Sequence, residues 1–158
     1  MDVFSLQNCL DAALHYLSYR PRSETEIRQR LQRRGFEEGL VDATIDTLKR
    51  CGLVDDVAFA EFWKDNRLSF SPRSRKLVQL ELRKRGVSAE TAEEVTSELD
   101  DEASAYQAGM KKMRSLTSAD YDEFRLRLTG YLRRRGFSYQ VVRQVVERLW
   151  LDRQSSAT

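Results

Sequence analysis

The chain has 158 residues, 41% hydrophobic and 33% charged, with a formal net charge of only +2. That is enough apolar material for one ordinary core or a few small units sharing cores, and the charged share exceeds the roughly 25% of an average soluble domain. Two prolines and seven glycines in so charged a chain point to surface helices and exclude a sheet protein or a disordered coil.

Apolar residues recur at helical spacing almost throughout. In the first segment Leu6, Leu10, Ala13, Leu14 and Leu17 form one stripe, which Pro21 interrupts. Ser23-Glu24-Thr25-Glu26 then has the capping-box pattern, in which the serine accepts from the N3 amide and the glutamate reaches back. Ile27 and Leu31 face inward on that helix and Gly35 stops it. A third segment carries Leu40, Val41, Ile45 and Leu48 and stops at Gly52. Asp55 and Asp56 can cap a helix bearing Phe59, Phe62, Trp63 and Asn66, which runs to about Phe70. After Ser71-Pro72-Arg73-Ser74 comes a helix with Val78 and Leu82, ended at Gly86; Ser88 can cap the next, with Ala92, Val95 and Leu99. A third round starts near Asp100 and Asp101 with Ala105, Tyr106, Met110 and Met113. Asp120 to Glu123 resembles another capping box, and Phe124, Leu128 and Leu132 line the helix that ends at Gly136. Ser138 can cap the last helix, with Val141, Val142, Val145, Leu149 and Trp150, leaving a frayed tail over 153–158.

Six letters occur three times in near copy: LQRRGF from Leu31, LRKRGV from Leu82 and LRRRGF from Leu132, with the glycines 51 and 50 residues apart. If each glycine is the left-handed C′ residue, the leucine is C3 and the bulky residue C″, the apolar pair of a Schellman stop. Pro21-Arg22-Ser23 also recurs, 51 residues on, as Pro72-Arg73-Ser74. A helical period near 50 residues points to a repeat array, each unit packing mainly on its neighbours. The predicted fold class is therefore all-α: three tandem three-helix repeats, about nine helices, over residues 1–52, 53–99 and 100–152, in an elongated array that can curve. One globular bundle is the alternative.

Charge follows the same period. Arg20–Arg34 holds six bases and two acids, Arg73–Arg85 six and one, and Arg125–Arg135 five and none, whereas Ser88–Glu102 holds seven acids and no base. The middle helix of each repeat is thus basic and the others are neutral or acidic. At about 100° per residue, Arg33 lies nearly opposite the stripe of Ile27 and Leu31, with Arg28 and Arg30 flanking it. The same register puts Lys84 and Arg134 on outer faces. Further candidates on these segments are Arg73, Arg75, Lys76, Arg125 and Arg127. Stacked regularly, such helices present a row of positive charge suited to a phosphate backbone or an acidic protein groove. The plainer reading is that bases in a last turn complement the helix dipole and its free carbonyls.

Catalytic signatures are missing: no GxxxxGK[ST] loop, no GxGxxG after a strand, no nucleophile elbow. Glu90–Glu102 lacks the ligand order and turn glycine of a calcium loop. Cys9 and Cys51 have no CxxC spacing and, with the single histidine His15, make no recognisable zinc site; they read as reduced thiols, a Cys9–Cys51 disulfide being the less favoured alternative. The aromatic group Phe59, Phe62 and Trp63 sits at helical spacing and reads as core before it reads as a base-stacking platform. An enzyme, a cofactor and a metal are not expected. No apolar run reaches the ~18 residues that cross a bilayer, and the acid at Asp2 with no preceding base is unlike a secretory signal, so a soluble cytoplasmic protein is expected.

Gly52-Leu53-Val54-Asp55-Asp56, followed by Phe59-Ala60, Trp63 and Arg67, resembles the G-[YL]-[LIV]-[DN]-[DE]-x-x-[FY]-A-x-x-[WY] signature of the RecX family of bacterial recombination regulators. Leu80-Glu81-Leu82-Arg83-Lys84-Arg85-Gly86-Val87 resembles its E-L-x-x-K-G-[IV] motif, and Arg134-Arg135-Gly136-Phe137 and Ser23-Glu24-Thr25-Glu26-Ile27-Arg28 fit as well. The resemblance runs from about Ala12 to Trp150. One departure is that Leu77, before Val78, stands where the family often has a base; here the bases are Arg75 and Lys76. The resemblance implies three tandem three-helix units that bind the RecA recombinase filament in its helical groove. It implies inhibition of the RecA ATPase, strand exchange and co-protease activities, steric in kind. Single- or double-stranded DNA is a second implied partner, and a monomer is expected. Two readings of the same charges stand beside this one: a sequence-nonspecific DNA-binding module, whose affinity would fall steeply with salt, and a helical scaffold for another acidic protein.

Overall fold

A computed structural model describes residues 4–156. Among them lie nine α-helices, one 3-10 turn and no strand: α1 Leu6–Leu17, α2 Glu24–Arg33, α3 Glu38–Arg50, α4 Asp56–Phe70, α5 Arg75–Lys84, α6 Ala89–Val95, α7 Asp101–Met113, the turn Arg114–Leu116, α8 Tyr121–Arg134 and α9 Tyr139–Ser156. The all-α class and the three rounds of three helices hold. The chain divides into two compact units, Met1–Trp63 with Glu81–Val95 and Lys64–Leu80 with Thr96–Thr158, so that α4 and α5 each contribute to both.

In the first unit α1, α2 and α3 close over a core that includes Cys9, Ala13, Ile27, Leu31, Val41, Ile45 and Leu48. The stripe of α1 differs from the one read off the sequence. Leu6 and Leu14 are 48% and 39% exposed, and the buried face is Cys9, Ala12 and Ala13. Size decides this: two helices approach closely where their side chains are small, and the Cys9 thiol sits 3.8 Å from the Leu40 carbonyl of α3. Both cysteines are free thiols, Cys9 buried and Cys51 exposed.

In the second unit α7, α8 and α9 enclose Ala105, Ala108, Phe124, Leu128, Leu132, Phe137, Val145 and Leu149. Small residues again set the closest face. Ser104, Ala105, Ala108 and Gly109 of α7 are buried while Met110 is 45% exposed. A Cβ on Gly109 would lie 2.5 Å from Leu149 Cδ1 of α9. Two boundaries also move. Helix α6 stops at Val95, so Leu99 falls beyond it. The tail expected to fray is helical through Ser156, where the Arg153 guanidinium donates to the Thr117 carbonyl and lies over the Trp150 ring. The last two residues of that expected tail, Ala157 and Thr158, lie outside the described residues.

The middle helices α2, α5 and α8 all end in the predicted way. Gly35, Gly86 and Gly136 have φ of +91°, +85° and +91°. At each end the C″ amide donates to the C3 carbonyl, from Phe36 to Leu31 at 3.2 Å, Val87 to Leu82 at 3.1 Å and Phe137 to Leu132 at 3.3 Å, which is the Schellman pattern. Two of these turns are also docking points. In the first unit the Ser23 hydroxyl, N-cap of α2, donates to the Arg85 carbonyl at 2.6 Å. In the second unit the Ser74 amide, at the start of α5, donates to the Arg135 carbonyl at 3.0 Å. A Cβ on Gly86 would stand 1.9 Å from Thr25 Oγ1, and one on Gly136 would stand 2.4 Å from Ser74 Oγ and 2.9 Å from Leu77 Cβ. Each glycine therefore does two things: it turns the chain left-handed, and it leaves room for the start of another middle helix.

Alanine substitutions separate those two roles. Gly52, with φ +71° and nothing within 4 Å of a Cβ, should lose only the left-handed penalty of about 1–2 kcal/mol as Gly52→Ala. Gly86→Ala should lose about 2–4 kcal/mol, because Thr25 must also move. Denaturant unfolding followed by circular dichroism compares them, and equal losses would show that the docking is loose.

Candidate functional site

The three basic helix ends share one register, and neighbouring groups use the basic residues differently at each position. One residue after the leucine, Arg83 and Arg133 fold back on the helix end: their Nη1 atoms donate to the Val87 carbonyl at 3.0 Å and the Phe137 carbonyl at 2.8 Å. Three residues after the leucine, the Arg85 guanidinium lies 3.7 Å from the Trp63 ring centre and the Arg135 guanidinium 4.0 Å from that of Tyr131. Both are cation–π contacts on half-buried side chains. Between them, Arg33, Lys84 and Arg134 are exposed. Among the described residues these three make no side-chain hydrogen bond, ion pair or ring contact. In the first repeat Gln32 takes the fold-back position, and Arg34, expected to cover the helix end, is exposed instead.

The other candidates divide. Arg28 of α2 pairs with Asp42 of α3 at 2.6 Å, and Arg127 pairs with Glu123 one turn back at 3.2 Å. Arg30 lies 5.3 Å from the Tyr16 ring centre. Arg73 is partly buried and held by neighbouring groups. Arg75 is partly buried, and Lys76 and Arg125 are exposed. The docking in the second unit brings the end of α8, with Arg134, to the first turn of α5, with Arg75 and Lys76. In the first unit the end of α5, with Lys84, instead meets a first turn holding Glu24 and Glu26, themselves paired with Lys49 at 3.2 Å and Arg20 at 2.7 Å. Arg33 sits at the opposite end of α2, about 15 Å along the axis for a ten-residue helix. The positive charge is therefore densest around Arg134. Leu77, the departure noted in the sequence, packs against the Gly136 turn, where a base would lose its hydration.

A pair of aspartates positions these ends, and only half of their work was read from the sequence. Asp55 caps α4, accepting from the Val57 and Ala58 amides at 2.9 and 3.2 Å, and Asp100 caps α7, accepting from the Glu102 amide at 3.0 Å. The second aspartate of each pair reaches back to the preceding middle helix. Asp56 accepts from the Glu24 amide of α2 at 2.9 Å, and Asp101 accepts from the Arg75 amide of α5 at 2.8 Å. These first-turn amides have no partner within their own helices. Burial pushes the Asp56 carboxyl above its ordinary value of 3.8, with the Glu24 amide opposing. The doubled aspartate recurring in both rounds was the available signal. Phe59 and Trp63 are core, as expected, and Phe62 is half-buried. Among the described residues no group of three or more His, Cys, Asp or Glu could hold a metal ion. Among the described residues no helix is long and apolar enough to cross a membrane.

Comparison with known proteins places this arrangement. Three family models match in tandem: the first three-helix domain of RecX over residues 9–48, the second over residues 55–95 and the third over residues 100–146. The regulatory protein RecX of Prosthecochloris aestuarii is 34% identical over 143 residues, 90% of this chain and 94% of its own length. That of Amycolatopsis mediterranei is 35% identical over 135 residues, 81% of this chain and 77% of its own. The crystal structure of RecX from Lactobacillus salivarius superposes with a TM-score of 0.74 at 23% identity, covering 92% of this chain and 97% of that one, and so shares the fold.

Asp56 gives a test of the reaching cap. Asp56→Ala should cost about 1 kcal/mol, the usual loss for an unmade N-terminal cap. Asp56→Asn keeps an acceptor and should cost less. Because the native carboxyl holds its proton more tightly than the unfolded one, native protein binds more protons between 3.8 and its raised value, and stability falls as pH rises through that window. Wild type should therefore lose ground to Asp56→Asn on going from about pH 4 to about pH 6, as read by thermal melts. A gain instead would mean that the charged form is the favoured cap.

Proposed function

The chain belongs to the RecX family, and on that premise we propose that it is a cytoplasmic, monomeric regulator that binds the filament RecA forms on DNA and inhibits the RecA ATPase, strand exchange and co-protease activities. One observation carries this reading: in all three helix ends the same register position, Arg33, Lys84 and Arg134, is exposed and, among the described residues, unpartnered, while Arg83, Arg85, Arg133 and Arg135 are used by the fold. A base that packing and capping leave over, three times at one position, is what a partner with repeated negative charge requires. A nucleoprotein filament repeats its subunit, as this chain repeats its helices.

The mechanism is steric and electrostatic. Exposed ion pairs contribute about 0.2–1 kcal/mol each, so no single base holds the complex, and several weak contacts at repeated spacing add up. Long-range attraction raises the association rate and weakens with salt, since charges are screened beyond roughly 10 Å at 0.1 M. A protein lying along the filament obstructs subunit movement and access to bound DNA without making or breaking a bond.

Addition below one protein per RecA subunit should suppress the DNA-dependent ATPase at about 0.15 M salt, where binding to bare DNA is largely screened. Arg134→Glu should raise the concentration for half inhibition about tenfold, and Arg33→Glu by less, because Arg134 has Arg75 and Lys76 on the facing turn. No suppression at equimolar protein would remove the reading. Tight binding to bare DNA at the same salt would favour a plain DNA-binding module.

A further inference from the structure

The first and third repeats treat the groove between their second and third helices in opposite ways. In the first, Arg28 of α2 bridges to Asp42 of α3 at 2.6 Å and closes the gap. The helix-end glycines Gly35 and Gly136 set the alignment, and in it Arg28 corresponds to Thr129 and Asp42 to Arg143. A short polar residue and a base cannot make that bridge. The structure shows a groove there, lined by Arg125 and Thr129 of α8 and by Tyr139, Val142 and Arg143 of α9, with Tyr121 at one end. Its base is closed by Val142 and Val146, 1% and 2% exposed, and its accessible apolar surface is that of the Tyr121 and Tyr139 rings, 38% and 64% exposed. Arg125 and Arg143 are both exposed, and among the described residues neither has an ion pair or hydrogen bond.

We propose that this groove of the third repeat docks a short acidic peptide segment carrying an apolar anchor, on a partner protein. The charge is complementary: one arginine from each wall, with the Thr129 hydroxyl available as a donor, suits carboxylates, which arginine grips in a bidentate way. The exposed ring surface of Tyr121 and Tyr139 suits an aliphatic or aromatic side chain between those carboxylates. A nucleic-acid strand fits less well. One face of Tyr139 lies under the Arg133 guanidinium at 4.0 Å and Tyr121 packs against Trp150 at 5.2 Å, so neither ring can be sandwiched between two bases. Glu147, on the lining, repels phosphate and carboxylate alike, and a peptide, unlike a strand of phosphates, can set a backbone amide against it as a donor. None of the helix-end bases Arg33, Lys84 and Arg134 is among the lining residues, and the proposal does not depend on the filament reading.

The test uses the full chain and a fluorescein-labelled peptide alternating aspartate with leucine and phenylalanine, followed by anisotropy at about 0.15 M salt. The same peptide with asparagine for aspartate, and a single-stranded oligothymidylate, serve as comparisons. The acidic peptide should bind, and Arg143→Glu and Arg125→Glu should each weaken it at least about tenfold. The double variant Thr129→Arg with Arg143→Asp rebuilds the ion pair of the first repeat and should abolish binding with an unchanged helical spectrum and melting temperature. Arg33→Glu should bind the peptide like wild type even where it impairs ATPase inhibition, which separates this groove from the filament site. Equal binding of the asparagine peptide, preference for oligothymidylate, absence of binding, or full binding by the rebuilt pair would each overturn the proposal.

Discussion

A helix that ends on a left-handed glycine leaves a bare backbone turn, and in this protein two of those turns are covered by the serine-led start of another helix. Gly86 meets Thr25, with the Ser23 hydroxyl on the Arg85 carbonyl, and Gly136 meets Ser74 and Leu77. The third turn, at Gly35, is met by the ring of Phe4, which packs edge-on against Phe36 at 5.7 Å. No side chain could stand at Gly86 or Gly136 without moving backbone-proximal atoms, so the contacts fix where each middle helix begins relative to the end of the next. Asp56 and Asp101 add a second tie at the same places by holding first-turn amides of α2 and α5. Each tie is a single hydrogen bond worth about 1 kcal/mol net; their value is positional, since both satisfy backbone groups that burial would otherwise leave unpaired.

The same constraint sorts the positive charge. Cations suit a helix end, and here Arg83 and Arg133 are taken up by the Val87 and Phe137 carbonyls just beyond it. Aromatic neighbours take Arg85 and Arg135. What is left projects from the side of the helix away from its core stripe, because three residues of a turn cannot all face the same way. The surplus is small, one base at the ends of α5 and α8 and two, Arg33 and Arg34, at the end of α2, and it is the part of the charge pattern that the fold does not explain.

Much of this was legible in the sequence because it is local. The Schellman pairing of Leu31 with Phe36, Leu82 with Val87 and Leu132 with Phe137 is written within six letters, and the capping box of Ser23 and Glu26 within four; both formed. Periodicity failed where size, not hydrophobicity, chose the buried face: Cys9 and Ala12 displaced Leu6 and Leu14, and Gly109 displaced Met110. The reaching aspartates were only half legible, for another reason. Asp56 acts 32 residues back and Asp101 only 26 residues back, because α6 has 7 residues where α3 has 13. A fixed repeat period hides a tie whose spacing changes with helix length. The α8–α9 groove was missed because it depends on Arg143, on a helix read only for its apolar stripe.

On the proposed reading, adjacent arginines at one helix end have different duties, Arg135 for the fold and Arg134 for the partner. Measuring Arg134→Gln and Arg135→Gln side by side, for melting temperature and for binding to RecA filaments on DNA, tests it most directly. Opposite losses are expected: Arg134→Gln melts like wild type and binds several-fold more weakly, while Arg135→Gln melts lower and binds nearly as well at temperatures where it is folded. Equal effects of the two substitutions on binding, with no difference in melting, would contradict it.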